Sequence, residues 1–293
     1  MFKFKQLFFL LFIISNLTAQ ISGVVKDSLT GKPIPYVNIW VENENIGTTS
    51  NEKGFFDLVL NENKNIVFSA LGYETKIISS LKAKSVLLNP KIYQLEEVVV
   101  ENLKKTKELE IGDAKKIHHT QLSGDKPWIY GKLFPFQEKY NETPYIKSIS
   151  FYSNSEIKDA KLKIRIYEMN DSIPSNDLLY EELIVSVKKG MRNNKIDVSK
   201  NNIKFSEKGI VIGLEWLIID ENKYVFEYKS GKSKNKNEQI NYAPSLVINY
   251  SETKNSFRYY GGKWVRNKIY ASKKDKPWDN KVMTPAINLT LTN

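Results

Sequence analysis

Short apolar runs separated by turn residues fill residues 21–73, and this pattern constrains the fold more than any other feature of the sequence. The predicted strands are Ile21–Val25, Tyr36–Val41 and Phe55–Leu60. Glycines such as Gly31 and Gly54 stand at the ends of the runs, where tight turns need them. Alternate residues within the runs are apolar, which is typical of strands that bury one face. Residues 21–73 therefore predict an antiparallel all-β domain made of two packed sheets.

The order of the motifs in this region carries a family resemblance. The segments SGVVKD, TGKPIPYVNIWV, GTTSNEKGFFDLVL and FSALGY follow one another along the chain. This order resembles the carboxypeptidase regulatory-like domain, a small transthyretin-like or Ig-like β-sandwich common in exported proteins of Gram-negative bacteria. The resemblance places the domain at residues 20–92. It implies a domain that accompanies a peptidase without performing the peptidase chemistry.

Residues 1–19 have the order of a secretory signal peptide. Lys3 and Lys5 precede an apolar run from Leu7 to Ile14, and a small residue, Ala19, follows. The run is shorter than the roughly 20 residues that a membrane span needs, so no transmembrane span is expected after cleavage. The chain has no cysteine, which excludes disulfides and a lipid-modified N-terminal cysteine. The protein is predicted to be exported and to be either periplasmic or associated with the outer membrane.

Residues 93–125 are predicted to be a linker that contains the segment LEEVVV. This segment resembles the one that follows the same domain in TonB-dependent outer-membrane receptors, although no plug domain follows it here. Two interpretations stay open: an ordinary strand or linker, and an edge that pairs with a partner's sheet. The candidate partner-binding residues are Leu95, Glu97, Val98, Val99 and Val100.

Residues 126–293 contain strand patterns at regular spacing without a sustained helical pattern, which favours a second β-sandwich. This series resembles the jelly-roll modules of exported bacterial proteins, often compared with carbohydrate-binding modules. In the clearest alternation Leu162, Ile164 and Ile166 are expected to face inward. Their neighbours Lys161, Lys163 and Arg165 are expected to face solvent.

The second domain is rich in aromatic residues, and these have two possible roles. All-β domains use most of their aromatic side chains in cores and cross-strand pairs. Exposed aromatic faces, in contrast, can stack on sugar rings. The candidate glycan-binding residues are Trp264, Trp278 and Tyr260.

The sequence offers few candidates for catalytic or metal-binding side chains. The only two histidines, His118 and His119, are adjacent, and neighbouring strand residues point to opposite faces, so they do not converge on one ion. Glu215 is the one carboxylate within an apolar strand, and it is expected to be hydrogen-bonded or exposed at an edge. No catalytic residue, metal site or cofactor is predicted.

The net charge of +11 comes mainly from scattered lysines, with one dense stretch at residues 229–236 that predicts a solvated hairpin tip. Export removes most nucleic-acid partners, so none is expected. The sequence thus predicts a non-catalytic, exported binding or assembly protein of the cell envelope. Its expected partner is an outer-membrane receptor or another envelope protein; the alternative is a carbohydrate-binding protein that uses the aromatic residues of the second domain.

Overall fold

The computed structural model describes residues 19–91, 106–229, 236–269 and 279–293. Within these ranges the fold is all-β, as the sequence predicts. The strands are β1 Ala19–Asp27, β2 Asn38–Val41, β3 Gly47–Thr49, β4 Phe55–Leu60, β5 Asn65–Ser69, β6 Lys76–Ser79, β7 Ser85–Leu88, β8 Glu108–Gly112, β9 Thr120–Gln121, β10 Ile129–Phe134, β11 Tyr145–Ser155, β12 Ala160–Asn170, β13 Ile173–Asp177, β14 Leu183–Val187, β15 Gly190–Asp197, β16 Ile210–Trp216, β17 Lys223–Lys229, β18 Lys236–Tyr242, β19 Ser245–Ser251, β20 Ser256–Tyr260, β21 Lys263–Arg266, β22 Val282–Pro285 and β23 Ile287–Thr292.

Helical structure in the described ranges is limited to short 3-10 turns, at Ser80–Lys82, Glu138–Glu142, Ser199–Asn201 and Asp220–Asn222. None of the described helices has the length and apolar character that crossing a bilayer requires.

The first sandwich packs a three-stranded sheet, β4-β1-β7, against a four-stranded sheet, β3-β2-β5-β6. β4 shows why the sequence folds in this way: Phe56, Leu58 and Leu60 are buried, whereas Phe55 and Val59 face solvent. The buried faces of both sheets form one core that includes Val37, Ile39 and Phe68. β1 pairs antiparallel with β4 and parallel with β7. Within the described ranges, β4 and β7 are therefore the edge strands of this sheet.

The second sandwich is built from two larger sheets. One has the order β13-β12-β16-β10-β20-β21, with β14 also paired to β12. The other has the order β22-β19-β11-β23-β8, and β15 and β9 add to β11 and β19. The core between them contains Phe151, Ile164, Trp216 and Leu289. The Trp216 indole is fully buried, and its Nε1–H donates to the Pro244 carbonyl at 2.6 Å.

Several local features differ from the sequence analysis. Residues 108–112 and 120–121, assigned above to the linker, form β8 and β9 within the second sandwich. β8 pairs with β23, close to the other end of the chain, and such a long-range partner leaves no local sequence signal. The residues of the LEEVVV segment lie outside the described ranges.

β17 and β18 form a separate two-stranded sheet. Lys229 pairs with Lys236 in this sheet. The lysine-rich residues 230–235, for which a solvated tip is predicted, lie outside the described ranges.

Candidate functional site

A row of directly paired residues crosses five neighbouring strands of the second sandwich, and the candidate site is built on it. The row runs from β12 through β16, β10 and β20 to β21, and contains Lys163, Glu215, Ile129, Tyr259 and Trp264. Because directly opposed residues of paired strands share a face, all five side chains belong to one side of the sheet. Charged groups occupy one end of this row and aromatic groups the other.

The charged end is buried, contrary to the alternation analysis. Lys163 was expected to face solvent, yet its side chain is 0% exposed, and the Glu215 side chain is 1% exposed. Lys163 Nζ lies 3.7 Å from Glu215 Oε1, and Arg165 Nη1 lies 3.9 Å from Glu215 Oε2. Neither carboxylate oxygen of Glu215 accepts a hydrogen bond from the described residues. The expectation of a hydrogen-bonded or edge-exposed Glu215 is therefore wrong.

Two further carboxylates complete this group, which we call the ion cluster: Lys163, Arg165, Asp177, Glu182 and Glu215. Arg165 Nε lies 2.6 Å from Asp177 Oδ2, in ion-pair contact without hydrogen-bond alignment. Lys163 Nζ donates to Glu182 Oε1 at 3.1 Å. The cluster thus holds two cations against three carboxylates in a largely water-free site.

Burial and charge oppose each other at these carboxyl groups. Burial raises the pKa of Asp177 above its usual value, although Arg165 acts against it. At Glu182 burial also acts to raise the pKa, but Lys163 and Arg165 together hold it below its usual value. The buried cluster therefore keeps Glu182 ionised and disfavours the charged form of Asp177.

The ion cluster also joins the two sandwiches. Lys163 Nζ donates to the backbone carbonyl of Tyr36 at 2.9 Å, and Lys161 Nζ donates to the Tyr36 hydroxyl at 2.8 Å. The Leu71 amide donates to Glu182 Oε1 at 3.2 Å. Tyr36 has a φ of 54°, which is unusual for a residue with a side chain. Lys163 is therefore buried because the first sandwich covers it, whereas Lys161 stays partly exposed at the edge of the contact.

Apolar contacts surround this junction. Tyr36 packs in one buried cluster with Leu217 and Ile219 of the second sandwich. Nearby, the Ile218 amide donates to Thr49 Oγ1 at 3.2 Å. The two sandwiches thus contact each other through charged, polar and apolar groups together.

The aromatic end of the row opens into a groove between the sandwiches. We call it the junction groove, and its defining residues come from both of them: Trp40, Trp128, Tyr259, Tyr260, Gly261 and Gly262. The rings of Trp40 and Tyr259 meet edge to face, with centroids 6.3 Å apart. A side chain at Gly262 would place its Cβ 3.2 Å from the Trp40 indole nitrogen. Glycine therefore allows the turn after β20 to approach Trp40 closely.

The groove widens into an open depression on each side of the Trp40–Tyr259 contact. One depression of about 320 Å³ is bordered by Trp128 and Tyr260 together with Asp125, Lys126 and Arg258. The other, of about 300 Å³, is bordered by Trp40 and Tyr259 together with Glu42, Asn43 and Thr75.

A small cleft of about 20 Å³ lies between these depressions, with Glu215 among its lining residues. Burial raises the pKa of Tyr259, and the nearby Glu215 carboxylate raises it further. The groove therefore presents partly exposed aromatic faces beside amide, hydroxyl and charged groups.

The aromatic residues singled out from the sequence have different surroundings. Tyr260 borders the junction groove. Trp264 is half-buried and packs against Tyr167, Phe257 and Tyr259. Trp278 lies outside the described ranges, as do Leu95, Glu97, Val98, Val99 and Val100.

Trp40, Trp128 and Tyr259 are not among the residues predicted from the sequence to form a site. A signal for Trp40 exists, since it alternates with the buried Ile39 and Val41 and so faces away from the first core. What covers that face cannot be read from the alternation.

His119 is not part of this site. Its Nδ1 forms a hydrogen bond with the Tyr250 hydroxyl. Within the described ranges, no group of three or more histidine, cysteine, aspartate or glutamate side chains is arranged to hold a metal ion.

Comparison with known proteins identifies the first sandwich. Residues 21–100 match the family described as the CarboxypepD_reg-like domain. The N-terminal region of the chain is therefore a CarboxypepD_reg-like domain, which is a non-catalytic regulatory fold, and a β-rich second module follows it. No protein with a curated description matches the chain.

One solved structure similar to the chain is that of the cysteine protease and lectin-like domains of Cwp84, a surface layer associated protein of Clostridium difficile. The sequence identity is 12% and the TM-score 0.35, with 85% of this chain and 45% of that chain covered. The chain thus spans less than half of that solved chain. A similarity of this size carries no information on function.

Proposed function

We propose that this protein is a non-catalytic binding protein of the cell envelope, exported by its N-terminal signal peptide, which holds its ligand in the junction groove. The observation that carries the proposal is the groove itself. Trp40 comes from the first sandwich, and Trp128, Tyr259 and Tyr260 come from the second. Neither sandwich alone would form the groove, so the ligand site requires both.

The fixed contact between the two sandwiches, which forms the groove, supports a binding role. The ion cluster and the apolar contacts around Tyr36 fix the first sandwich on the row of residues that includes Tyr259. A preformed site loses little conformational entropy when a ligand binds, and this favours affinity. The two sandwiches therefore act as one platform with a fixed relative placement.

A binding role without catalysis also fits the buried charges. Glu215 and Glu182 are the carboxylates closest to Lys163, and the two lysine contacts hold them inside the junction. A general acid or base must reach the atoms of a substrate, whereas Glu215 is almost fully enclosed. Its role in the proposal is to fix the platform.

A glycan is the second, more specific candidate for the ligand. Sugar rings stack on aromatic faces, and their hydroxyl groups need hydrogen-bonding partners beside those faces. The groove offers both, since Trp40 and Tyr260 lie next to Asn43, Asn45 and Arg258. The polar groups and open shape of the two depressions suit an extended, hydroxyl-rich chain better than a compact apolar molecule.

The test is a binding assay of the purified protein against an array of bacterial envelope glycans, with each hit measured again by calorimetry. Trp40→Ala and Tyr260→Ala are each expected to weaken binding about tenfold through the loss of ring stacking. Phe55→Ala is the matched control, because Phe55 is an exposed aromatic residue of the first sandwich outside the groove.

The outcomes separate the two levels of the proposal. Equal affinity of the Trp40→Ala, Phe55→Ala and unchanged proteins would overturn the groove as the site. Binding of a defined envelope protein instead of a glycan, lost in Trp40→Ala, would keep the groove and reject the glycan. Hydrolysis of any array glycan by the pure protein would overturn the non-catalytic role.

The predicted edge at Leu95 and Glu97–Val100 remains a separate candidate for contact with an outer-membrane receptor. Photocrosslinking from position 98 in intact cells tests it, with the same crosslinker at position 59 as the control. Fractionation of these cells tests the location, which is expected to be the periplasm or the outer-membrane fraction. Recovery of the protein from the cytoplasm with residues 1–19 still attached would refute the proposed export.

A further inference from the structure

The depression beside Trp128 contains a cation whose position is fixed by a buried side chain. Arg258 borders this depression, and its Nε–H donates to Asn267 Oδ1 at 2.6 Å. Asn267 is held in turn, because its side-chain amide donates to Ser256 Oγ at 2.6 Å and its backbone amide donates to the Ser256 carbonyl at 2.8 Å. Asn267 is 8% exposed and Ser256 is fully buried. A buried polar network therefore sets where the Arg258 guanidinium lies.

The outer part of this guanidinium is free. Neither Nη atom of Arg258 forms a hydrogen bond or an ion pair with the part of the chain that the structure describes. Lys126, the second cation at the border of the depression, forms no ion pair with the described residues either. Asp125 supplies the carboxylate of this border, so two cations stand against one anion. The depression therefore combines a net positive charge with a positioned guanidinium whose terminal donors are available.

Aromatic side chains lie beside the guanidinium. Arg258 and Tyr260 are alternate residues of β20, so their side chains share one face, about 7 Å apart along the strand. On the neighbouring strand, Tyr130 pairs directly with Arg258, and Trp128 precedes Tyr130 by two positions. Trp128 is anchored by stacking on the buried Trp216, with ring centroids 4.3 Å apart. Aromatic rings and a free guanidinium thus border the same depression side by side.

We propose that this depression binds an acidic glycan: a hexuronate whose ring stacks on Tyr260 and whose carboxylate is bound by Arg258. The inference rests on the proposed function and adds the charge of the ligand to it. A planar carboxylate matches the two terminal donors of a guanidinium and forms charge-assisted hydrogen bonds with them, whereas a neutral sugar hydroxyl forms a weaker, uncharged bond. Arg258 is then the residue that selects acidic over neutral sugars, and Asn267 is a positioning residue.

Two glycans that differ only in charge give the direct test. Oligogalacturonate carries a carboxylate on each ring, and its methyl ester has the same rings and linkages without the charge. Calorimetry at low ionic strength is expected to show that the acid form binds about tenfold more tightly than the ester. The difference should shrink as sodium chloride is added, because salt screens exposed charges. Oligoalginate and its ester repeat the comparison with different uronates.

Substitutions at Arg258 separate charge recognition from ring stacking. Arg258→Gln is expected to weaken binding of the acid form about tenfold and to leave the affinity for the ester unchanged. Arg258→Lys keeps the charge without the planar pair of donors, so it should retain only part of the preference for the acid form. Arg192→Gln is the matched control, because Arg192 is an exposed arginine of β15 outside the junction groove. It removes the same charge and is expected to bind both forms as the unchanged protein does.

Asn267→Leu tests the positioning of Arg258. It removes the acceptor of the Arg258 Nε–H while Arg258 keeps its charge. The preference for the acid form should fall while the affinity for the ester stays the same. A merely structural role of Asn267 would instead lower both affinities together.

Three results would overturn the inference: no binding of either acid form, equal affinity of the unchanged protein for the acid and ester forms, and equal losses for both forms in Arg258→Gln. Binding of a neutral glycan that is lost in Trp40→Ala and unaffected by Arg258→Gln would reject the acidic ligand and leave the proposed function standing. Charge-selective binding that is lost in Arg258→Gln and unaffected by Trp40→Ala would keep the acidic ligand and reject the wider groove. The failure of one proposal is thus distinguishable from the failure of the other.

Discussion

Lys163 allows the sharpest test of how the two sandwiches are joined. Its Nζ lies 2.9 Å from the Tyr36 carbonyl oxygen, 3.1 Å from Glu182 Oε1 and 3.7 Å from Glu215 Oε1, with no solvent exposure. Lys163→Met keeps most of the side-chain length and removes the charge. Among the described residues, Glu215 would then keep only the more distant Arg165 as a cationic partner, 3.9 Å away. Removing one partner of a buried ion pair costs about 3–5 kcal/mol.

Urea denaturation at neutral pH, followed by tryptophan fluorescence, measures this loss. The unchanged protein is expected to unfold in one transition because the junction couples the two sandwiches. In Lys163→Met we expect a loss of about 3–5 kcal/mol and a separate, earlier transition. Lys161→Met is the matched control on the same strand, where Lys161 is 24% exposed and bonds the Tyr36 hydroxyl. Its expected cost is below about 1 kcal/mol.

A double substitution distinguishes the loss of a charge partner from simple damage to packing. Lys163→Met combined with Glu215→Leu removes both the cation and the carboxylate that it neutralises. Replacing a buried pair by apolar groups of similar volume is often neutral or stabilising, so most of the lost stability is expected to return. A cost of Lys163→Met no greater than that of Lys161→Met would refute the buried ion pair as the cause, as would a double variant less stable than Lys163→Met alone.

Three further predictions concern groups around the junction. Lys163 and Arg165 hold the pKa of Glu182 low against its burial. The ionised Glu182 therefore contributes fully to the free energy of unfolding above the usual glutamate range, and this contribution is lost as the pH falls through the folded pKa. Glu182→Gln should flatten the dependence of urea stability on pH between about 7 and about 3, and an unchanged slope would contradict this. Trp216→Phe loses the bond to the Pro244 carbonyl and should cost about 1–3 kcal/mol in the same assay. Gly262→Ala should lower the melting temperature more than Gly72→Ala, because both residues have a φ near +80° but only Gly262 faces the Trp40 ring; equal shifts would refute the contact.

The strands were readable from the sequence because burial alternates along them. β4 begins and ends at the predicted residues, Phe55 and Leu60, since its buried and exposed positions alternate without a break. β8 was missed because its partner, β23, is far away along the chain and its own five residues bury only Ile111. Local pattern therefore identifies a strand when one face is covered by its own sandwich, and fails when distant pairing supplies the stability.

The candidate site was harder to predict, and Lys163 shows why. Alternation correctly places Lys163 and Arg165 on the face opposite to Leu162 and Ile164. It assumes, however, that this face meets water. In the structure Tyr36 of the first sandwich covers it, and a contact between residues so far apart leaves no periodic signal. Position on a strand was thus predictable, whereas the surroundings of that position were not.

Glu215 belongs to the ion cluster and also lines the small cleft of the junction groove, and this connects stability with the proposed binding. Glu215 faces Lys163 on one side and, across Ile129, Tyr259 on the other. An apolar residue at this point would be simpler for packing, because buried ion pairs rarely add stability over apolar groups. The charged groups have a different advantage, because two of them also bond the first sandwich: Lys163 donates to the Tyr36 carbonyl and Glu182 accepts from the Leu71 amide. Both bonds form in only one relative placement, so they select one register of the first sandwich on the second. The Trp40–Tyr259 contact that divides the groove requires that placement, which gives the buried charges a role that an apolar junction would not fill.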